Sequence, residues 1–165
     1  MKILTLDFEG SLTTGIREIG IVYEEAMVAT RYEEHTIQDD HECINALNNI
    51  LGFKPDVFIS HNINTEKNLI KKYLPYSRKA HQDISMEWGP WIDTTLVYRT
   101  LYTQISNFDL KSLTKTFVQK EVDILAKQFC KVNKMKHHNA LYDAICTHLL
   151  FARIQNRVSM NNFIQ

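Results

Sequence analysis

The segment that constrains the fold most is an apolar run near the N-terminus, residues 2–9, which ends in two carboxylates. A short apolar run bounded by loop residues is typical of a buried strand. Side chains at positions i and i+2 of a strand share one face, so we expect Asp7 and Glu9 to lie side by side. Phe8, between them, then faces the opposite packing layer. The segment therefore predicts a first strand with an acidic outer end.

The segments that follow alternate between strand-like and helix-like patterns. We predict strands over residues 17–23, 26–33 and 56–60, and helices over residues 39–51 and 64–74. A tight connection at Glu24 and Glu25 joins the first two of these strands, which is hairpin spacing. The first three strands are therefore expected to be antiparallel neighbours. Gly52 and Pro75 are expected to end the two helices.

The C-terminal half of the chain has mainly helical patterns. Residues 88–91 are expected to be irregular, and Asp93 or Thr94 is expected to cap the helix that follows. The apolar residues expected along one side of that helix are Leu96, Val97, Tyr98 and Leu101. Three more helices are predicted over residues 110–117, 121–130 and 139–157. This order predicts an α/β fold with a mixed sheet, and residues 1–165 are expected to form a single domain.

The composition is that of an ordinary globular protein, with 44% hydrophobic and 23% charged residues. No apolar run approaches the roughly 20 residues that span a bilayer, and the carboxylates at Asp7 and Glu9 come too early for a signal peptide. We therefore expect a cytoplasmic protein that does not associate with membranes. Cys43, Cys130 and Cys146 lie far apart, which predicts reduced thiols. A zinc site using Cys146 and His148 lacks a second pair of ligands.

Charge is unevenly distributed although the formal net charge is zero. Residues 1–66 contain 4 Lys/Arg and 12 Asp/Glu, whereas residues 67–165 contain 15 and 7. A neutral total argues against a protein that coats nucleic acid indiscriminately. The polarity is compatible with a cation-binding cleft beside phosphate-binding groups, or with solvated surfaces of unequal charge.

Two more carboxylates follow in positions where they can join the first pair. Glu66 falls near the first turn of the helix after the strand at residues 56–60, and Asp143 falls early in the last helix. His138 cannot share a face with Asp143 on an ideal helix, but the two converge if His138 lies in the loop and Asn139 caps the helix. Carboxylates suit Mg²⁺ and Mn²⁺, and histidine is a common general base near neutral pH.

Each of these residues also has an alternative interpretation without catalysis. Asp143 could be a carboxylate that stabilises a helix N-terminus, and Glu66 an exposed helical residue. His137 and His138 could be solvated residues of a basic loop. The lysines of that loop, Lys131, Lys134 and Lys136, either contact phosphates or are solvated.

The motifs taken together resemble the DEDDh subgroup of the DnaQ-like exonucleases, a branch of the ribonuclease H-like fold. The resemblance extends from residue 2 to about residue 153. Its three motifs are Asp7-x-Glu9, His61-Asn62 leading to Glu66, and His138-x4-Asp143. It implies a central mixed five-stranded sheet, with its first three strands antiparallel, flanked by helices. The chain departs from the family at Glu66, where aspartate is usual, and after Glu9, where threonine often follows directly.

The resemblance also implies an activity: hydrolysis of DNA or RNA from the 3′ end to nucleoside 5′-monophosphates, with two Mg²⁺ or Mn²⁺ ions per site. The implied metal ligands are Asp7, Glu9, Glu66 and Asp143. His138 is the implied general base, and Ser11 and Asn62 are candidates for placing the terminal nucleotide. The implied partner is a nucleic acid with a free 3′ end, single-stranded in the simplest case. A homodimer, a polymerase association and the choice between DNA and RNA stay open.

Two other functions compete with this interpretation. The first is a catalytically silent module of the same fold that binds nucleic acid or a polymerase. The second is a phosphatase similar to the haloacid dehalogenases, whose first motif is DxDGT. The sequence DFEGS differs from that motif at both discriminating positions, and the chain has no downstream Gly-Asp dipeptide. Trp88 and Trp91 either stack on bases or pack at a turn.

Overall fold

The computed structural model describes residues 1–74 and 88–165. Its centre is a five-stranded sheet in the order β3-β2-β1-β4-β5. The strands are β1 (Lys2–Ser11), β2 (Gly15–Glu25), β3 (Val28–Thr36), β4 (Val57–Ser60) and β5 (Trp91–Asp93). Strands β1, β2 and β3 are antiparallel neighbours, whereas β4 pairs parallel with both β1 and β5. The predicted α/β fold with a mixed five-stranded sheet is confirmed.

Helices cover both faces of the sheet. They are α1 (Asp40–Gly52), α2 (Ile63–Tyr73), α3 (Thr94–Leu101), α4 (Leu110–Phe117), α5 (Gln119–Phe129) and α6 (Ala140–Ile154). Short 3-10 turns follow at Val132–Lys134 and Met160–Phe163. Within residues 1–74 and 88–165, no helix has both the length and the apolar character that crossing a bilayer requires.

Strand β1 supplies alternate side chains to two separate core layers. Leu4, Leu6 and Phe8 are buried among residues of α1 and α2. Ile3 is buried in the other layer, with residues of α4, α5 and α6. Because strand side chains alternate, Asp7 falls on the α6 side of the sheet, on the same face as Ile3. The pleat therefore points the acidic end of β1 toward the N-terminus of α6.

The hairpin between β2 and β3 turns two residues later than predicted. Glu24 and Glu25 belong to β2, and the turn is at Ala26 and Met27. Both turn residues have left-handed backbone angles, with φ of 51° and 68°. The apolar-to-charged transition at Glu24 suggested a turn because a buried glutamate is unusual, yet Glu24 is only 1% exposed.

The segment around residues 88–91, predicted to be irregular, contains the start of the fifth strand. Trp91 opens β5 and pairs with Phe58 of β4. Trp88 and Trp91 are both buried, and their rings lie 5.3 and 5.0 Å from the ring of Phe58. Packing is therefore the role of both tryptophans, and stacking on bases was the wrong alternative. A three-residue strand is too short to leave a periodic pattern.

Helix α3 begins where predicted, with Asp93 as its cap, but its buried side differs from the expected one. Val97 and Tyr98 are fully buried, whereas Leu96 and Leu101 are 42% and 36% exposed. Helix α6 ends at Ile154, earlier than the predicted residue 157. All three cysteines are free, with Cys43 and Cys146 buried and Cys130 half-buried. The predicted helix end at Pro75 lies outside the described residues.

Candidate functional site

A polar pocket of about 970 Å³ opens where β1, β4 and β5 end beside the first turns of α2 and α6. His138 and Asn62 line this pocket, and so do all four carboxylates singled out in the sequence. These are Asp7, Glu9, Glu66 and Asp143. Ser11 is not among the lining residues. It is the last residue of β1, and its hydroxyl is 2.9 Å from that of Thr14 in the β1–β2 turn. Its contact with a terminal nucleotide stays a prediction.

Gly20 allows the helix that carries Asp143 to approach Asp7. It is the partner of Asp7 in the β1–β2 ladder. A Cβ on Gly20 would lie 2.1 Å from the carbonyl carbon and oxygen of Ala140, the first residue of α6. Only glycine permits this distance between the strand and the helix. The bare backbone at Gly20 therefore brings the first turn of α6 against the acidic end of β1.

Asp7 lies at the centre of the acidic group. Burial raises the pKa of its carboxyl well above the usual range, and the charges of Asp143, Glu66 and Glu9 raise it further. The same two causes act on Glu9, where burial and the charge of Asp143 raise the pKa while His138 lowers it. Mutual repulsion among carboxylates is the expected result when several acids share one site. The arrangement favours a compensating positive charge.

Glu66 is the most deeply buried of the predicted acids, with only 3% of its surface exposed. Burial raises the pKa of its carboxyl to about 8, and nearby Asp93 and Glu9 add to the shift. Its Oε2 atom has no hydrogen-bond partner among the described residues. A buried carboxylate oxygen without a partner is costly unless it binds a cation or a proton. The solvated-residue interpretation of Glu66 is therefore wrong.

The loop before α6 holds Asp143 through two adjacent histidines. Nδ1 of His137 lies 2.5 Å from Oδ1 of Asp143, and the backbone N–H of His138 donates to Oδ2 at 2.8 Å. The alternative of a solvated loop residue is wrong for His137, because its ring faces Asp143 and contacts Tyr142 edge-on. The one sequence signal of this contact is that His137 directly precedes His138. Both carboxylate oxygens of Asp143 are thus oriented by the loop.

His138 lies in the loop, as predicted, and its side chain is exposed at the edge of the pocket. Its backbone adopts a left-handed conformation with φ of 64°. Ligand atoms of Glu9, His138 and Asp143 all lie within 4.8 Å of one another. Asn139 begins the helix as its N-cap, but its side chain bonds back to Lys136 and His137 instead of capping.

Lys134 fastens this loop to the sheet. Its Nζ donates to Glu18 at 2.7 Å and to Glu34 at 2.8 Å, and only 17% of its side chain is exposed. The solvated alternative for Lys134 is therefore wrong, and its contact with phosphate stays a prediction. Lys131 lies 3.7 Å from Glu34 and is 70% exposed.

Other residues that line the pocket had no role in the site predicted for them, among them His61, named only as part of the second motif, Asp93 and Arg99. Asp93 accepts hydrogen bonds from the backbone N–H groups of Asn62 and Thr95, so it joins α2 to α3. His61 lies between the Thr94 hydroxyl at 2.8 Å and the Phe108 carbonyl at 3.0 Å. Burial lowers the pKa of His61, which favours a neutral imidazole that donates to that carbonyl. These contacts hold together the pocket wall that is formed by the starts of α2 and α3 and by Phe108.

The residues of the pocket fit hard divalent cations. Carboxylate oxygens dominate the donor set, which is the preference of Mg²⁺ and Mn²⁺. Within the described part of the chain, Arg99 is the one lysine or arginine that lines the pocket. The repulsion at Asp7 and the unpartnered Oε2 of Glu66 both favour bound positive charge. The candidate site therefore has the ligand types and the excess negative charge of a metal centre.

No family model and no curated protein matches the sequence. Solved structures do match in fold. Exonuclease X in complex with 5′-overhanging duplex DNA is 20% identical, with a TM-score of 0.60 over 93% of this chain and 91% of that chain. The structure of S. pombe Pop2p in its Mg²⁺- and Mn²⁺-bound form is 12% identical, with a TM-score of 0.60 over 98% and 87% of the two chains.

E. coli Exonuclease I in complex with a dT13 oligonucleotide is 13% identical, with a TM-score of 0.64. That match covers 94% of this chain but 41% of Exonuclease I, so this chain spans less than half the length of that protein. At these identities the likeness shows the fold. The chain has the ribonuclease H-like fold that DnaQ-like exonucleases share.

Proposed function

We propose that this protein is a metal-dependent 3′–5′ exonuclease of the DEDDh type that acts on nucleic acid with a free 3′ end. The observation that carries the proposal is the convergence of Asp7, Glu9, Glu66, Asp143 and His138 on one pocket. The fold is shared with exonucleases, and the matched structures of Exonuclease X and Exonuclease I contain DNA. The matched Pop2p structure contains Mg²⁺ and Mn²⁺.

The carboxylates are proposed to hold two Mg²⁺ or Mn²⁺ ions. Asp7 is central because the other three acids surround it. Glu9 and Asp143 lie beside His138 and are assigned to one ion, while Glu66, on the opposite helix, supports the other. When bound, the ions would neutralise phosphate charge and lower the pKa of the attacking water.

The reaction is hydrolysis of the last phosphodiester bond. An imidazole nitrogen of His138 accepts a proton from water as the water oxygen bonds to phosphorus. The bond between phosphorus and the 3′ oxygen of the preceding nucleotide breaks, and that oxygen leaves with a proton as a 3′ hydroxyl. The released product is a nucleoside 5′-monophosphate. The exposed position of His138 lets it exchange protons with solvent between turnovers.

The pocket wall formed by Asn62 and its neighbours is proposed to position the terminal nucleotide. The backbone N–H of Asn62 is held by Asp93, which leaves its side chain facing Thr65 at 3.3 Å. Ser11 is proposed to contact the strand beyond the pocket. Single-stranded ends are the proposed substrate, because a strand must reach acids that lie partly buried. We further propose that residues 1–165 act as one cytoplasmic exonuclease domain.

A catalytically silent module of the same fold is the second candidate. The observation that favours it is the engagement of both Asp143 oxygens by His137 and His138. If this loop contact persisted with substrate present, Asp143 would be less available to a metal ion. The intact acidic set argues for the enzyme.

The decisive assay incubates the protein with a 5′-labelled single-stranded oligonucleotide, as DNA and as RNA, with Mg²⁺ or Mn²⁺. A ladder that shortens from the 3′ end supports the exonuclease, and a circular single strand of the same sequence should stay intact. Binding without shortening would support the silent module. Release of phosphate from small monoesters would support a phosphatase instead.

A pair of variants assigns the activity to this pocket. Asp7→Asn should abolish the ladder while circular dichroism shows an intact fold. Asp40→Asn, an exposed acid in the first turn of α1, is the matched control and should cleave at the wild-type rate. Full activity in Asp7→Asn would refute the assignment.

A further inference from the structure

A second group of potential metal ligands lies directly behind the pocket. Ligand atoms of His137, Asp143 and Cys146 all lie within 4.8 Å of one another. This group shares only Asp143 with the oxygen-rich triad of Glu9, His138 and Asp143. One carboxylate therefore belongs to two donor sets of different chemistry.

The fold holds this second set firmly. Asp143 and Cys146 are three residues apart on α6, so they lie on the same face of one helix. Both are buried, with 5% and 0% of their surfaces exposed. His137 comes from the preceding loop, and 18% of its side chain remains exposed. The site is thus formed on a rigid helix and has an opening to solvent at His137.

The chemistry of the set differs from that of the pocket. A thiolate, an imidazole and a carboxylate are characteristic ligands of Zn²⁺ and of Co²⁺, whereas Mg²⁺ and Mn²⁺ prefer oxygen. Three protein ligands leave a fourth tetrahedral position for water. Tetrahedral ligands at zinc distances lie ~3.3–3.8 Å apart, a spacing comparable to the present separations, which are all within 4.8 Å.

We propose that His137, Asp143 and Cys146 form a site for Zn²⁺ that competes with the catalytic ions for Asp143. Oδ1 of Asp143 faces His137, on the side of the second set. Zinc bound there would hold that oxygen, and the thiol proton of Cys146 would leave to solvent. Zinc would then act as an inhibitor of the exonuclease, a consequence that rests on the proposed function, whereas the binding itself does not.

Cobalt reports on the binding directly because a cobalt–thiolate bond gives a charge-transfer absorption in the near ultraviolet. The metal-free full chain should develop this absorption on titration with Co²⁺ and lose it when Zn²⁺ is added. Cys146→Ser keeps the size of the side chain and should abolish the absorption. Cys43→Ser is the matched control, since Cys43 is also fully buried on a helix, but in the layer on the other face of the sheet. It should behave as wild type.

Zinc affinity and zinc inhibition give a second readout. Cys146→Ser should need at least about tenfold more Zn²⁺ for half-inhibition of oligonucleotide cleavage at fixed Mg²⁺. Inhibition at the same zinc concentration in both proteins would overturn the competition for Asp143. Inhibition that shifts with the cysteine supports it.

Several outcomes would overturn the site itself. Wild type without the cobalt–thiolate absorption has no such site, whatever the variants do. An unchanged absorption in Cys146→Ser also rejects it. If Cys146→Ser does not fold, His137→Gln replaces it, and its cobalt affinity should fall by at least about tenfold. A cobalt–thiolate signal in a protein without nuclease activity would keep the zinc site while rejecting the proposed function.

Discussion

Single residues set the electrostatics of the pocket, and Glu66 is the most deeply buried of the predicted acids. The exonuclease family that the sequence motifs resemble usually has aspartate at the corresponding position. The extra methylene adds ~1.5 Å of reach, and the carboxylate lies buried with a pKa raised to about 8. The same burial that makes Glu66 costly to the fold makes it a strong candidate to bind a cation. Stability and activity should therefore respond in opposite directions when its charge is removed.

Glu66→Gln tests this opposition. Oligonucleotide cleavage should fall by at least about 100-fold, because an amide is a much poorer ligand for Mg²⁺ than a carboxylate. The free energy of unfolding without metal should stay the same or rise, because Gln is buried as a neutral group without the proton uptake that follows from a Glu66 pKa raised from 4.5 to about 8. Denaturant unfolding in the presence of a chelator measures the second quantity. Glu121→Gln, an exposed glutamate on α5, should change neither. A large loss of stability in Glu66→Gln would contradict this account.

Gly20→Ala tests the close approach of β2 and α6. The new methyl group would meet backbone atoms of Ala140 at 2.1 Å, so the first turn of α6 must move. We expect a loss of about 1–3 kcal/mol in the free energy of unfolding, together with reduced cleavage because Asp143 moves too. Gly52→Ala is the control, since nothing lies within 4 Å of the added Cβ. Equal stability of the two variants would show that the helix does not depend on Gly20.

At the scale of elements, the loop between α5 and α6 sets how His137 and His138 lie against Asp143. It carries His137 and His138, and Lys134 anchors it to Glu18 of β2 and Glu34 of β3. These partners are 116 and 100 residues away in the chain. An ion pair over such separations gives no local pattern, which is why the sequence suggested only a basic loop.

Lys134→Met should release this loop. Its removal leaves Glu18 and Glu34 close together without their shared cation, which we expect to cost roughly 1–3 kcal/mol in the free energy of unfolding. Cleavage should fall further than stability explains, because His138 loses its support. Lys131→Met is the control: that lysine is 70% exposed and should contribute at most about 0.5 kcal/mol. Full activity in Lys134→Met would show that the loop keeps its place without the anchor.

At the scale of the whole molecule, α6 crosses the sheet from the pocket to a second buried polar group. His148, five residues after Asp143 on α6, belongs to that group and has 4% of its surface exposed. Its Nδ1 is 3.5 Å from the hydroxyl of Thr5, and its Nε2 is 3.8 Å from a carboxylate oxygen of Glu24. Burial lowers the pKa of His148 to about 4. The folded protein therefore holds this imidazole in its neutral form.

His148 should lower stability in acid for this reason, whereas the raised pKa values of Asp7 and Glu66 act in the opposite direction. An unfolded histidine takes up a proton near pH 6.5, whereas His148 in the folded protein does so only near pH 4. Above pH 6.5 this histidine is neutral in both states and costs no stability. As the pH falls toward 4, the free energy of unfolding drops because of His148, by ~2–3 kcal/mol at pH 4.5. Denaturant unfolding of wild type and His148→Gln at pH 7 and pH 4.5 isolates this loss as the difference between the two proteins. On going to pH 4.5, His148→Gln should become more stable relative to wild type by this amount, whereas His41→Gln, an exposed control, should follow wild type.

What the sequence determined by itself is the local part of this protein. Alternation placed Asp7 and Glu9 at the end of a strand with Phe8 on the other face, and helical periodicity located α4 at its observed bounds. Such patterns depend on neighbours within one element, so they can be recognised along the chain. The motifs also include four of the six acids that line the pocket among the described residues, and they miss Asp93 and Asp109.

The tertiary structure decided what depends on contacts between distant segments. Strand β5 forms because β4 offers an edge to Trp91, and His137 turns to Asp143 because the loop is anchored through Lys134. Ser11 lies outside the pocket because the β1–β2 turn bends onto Thr14. No pattern within a short segment encodes these outcomes, since each depends on which surfaces folding brings together.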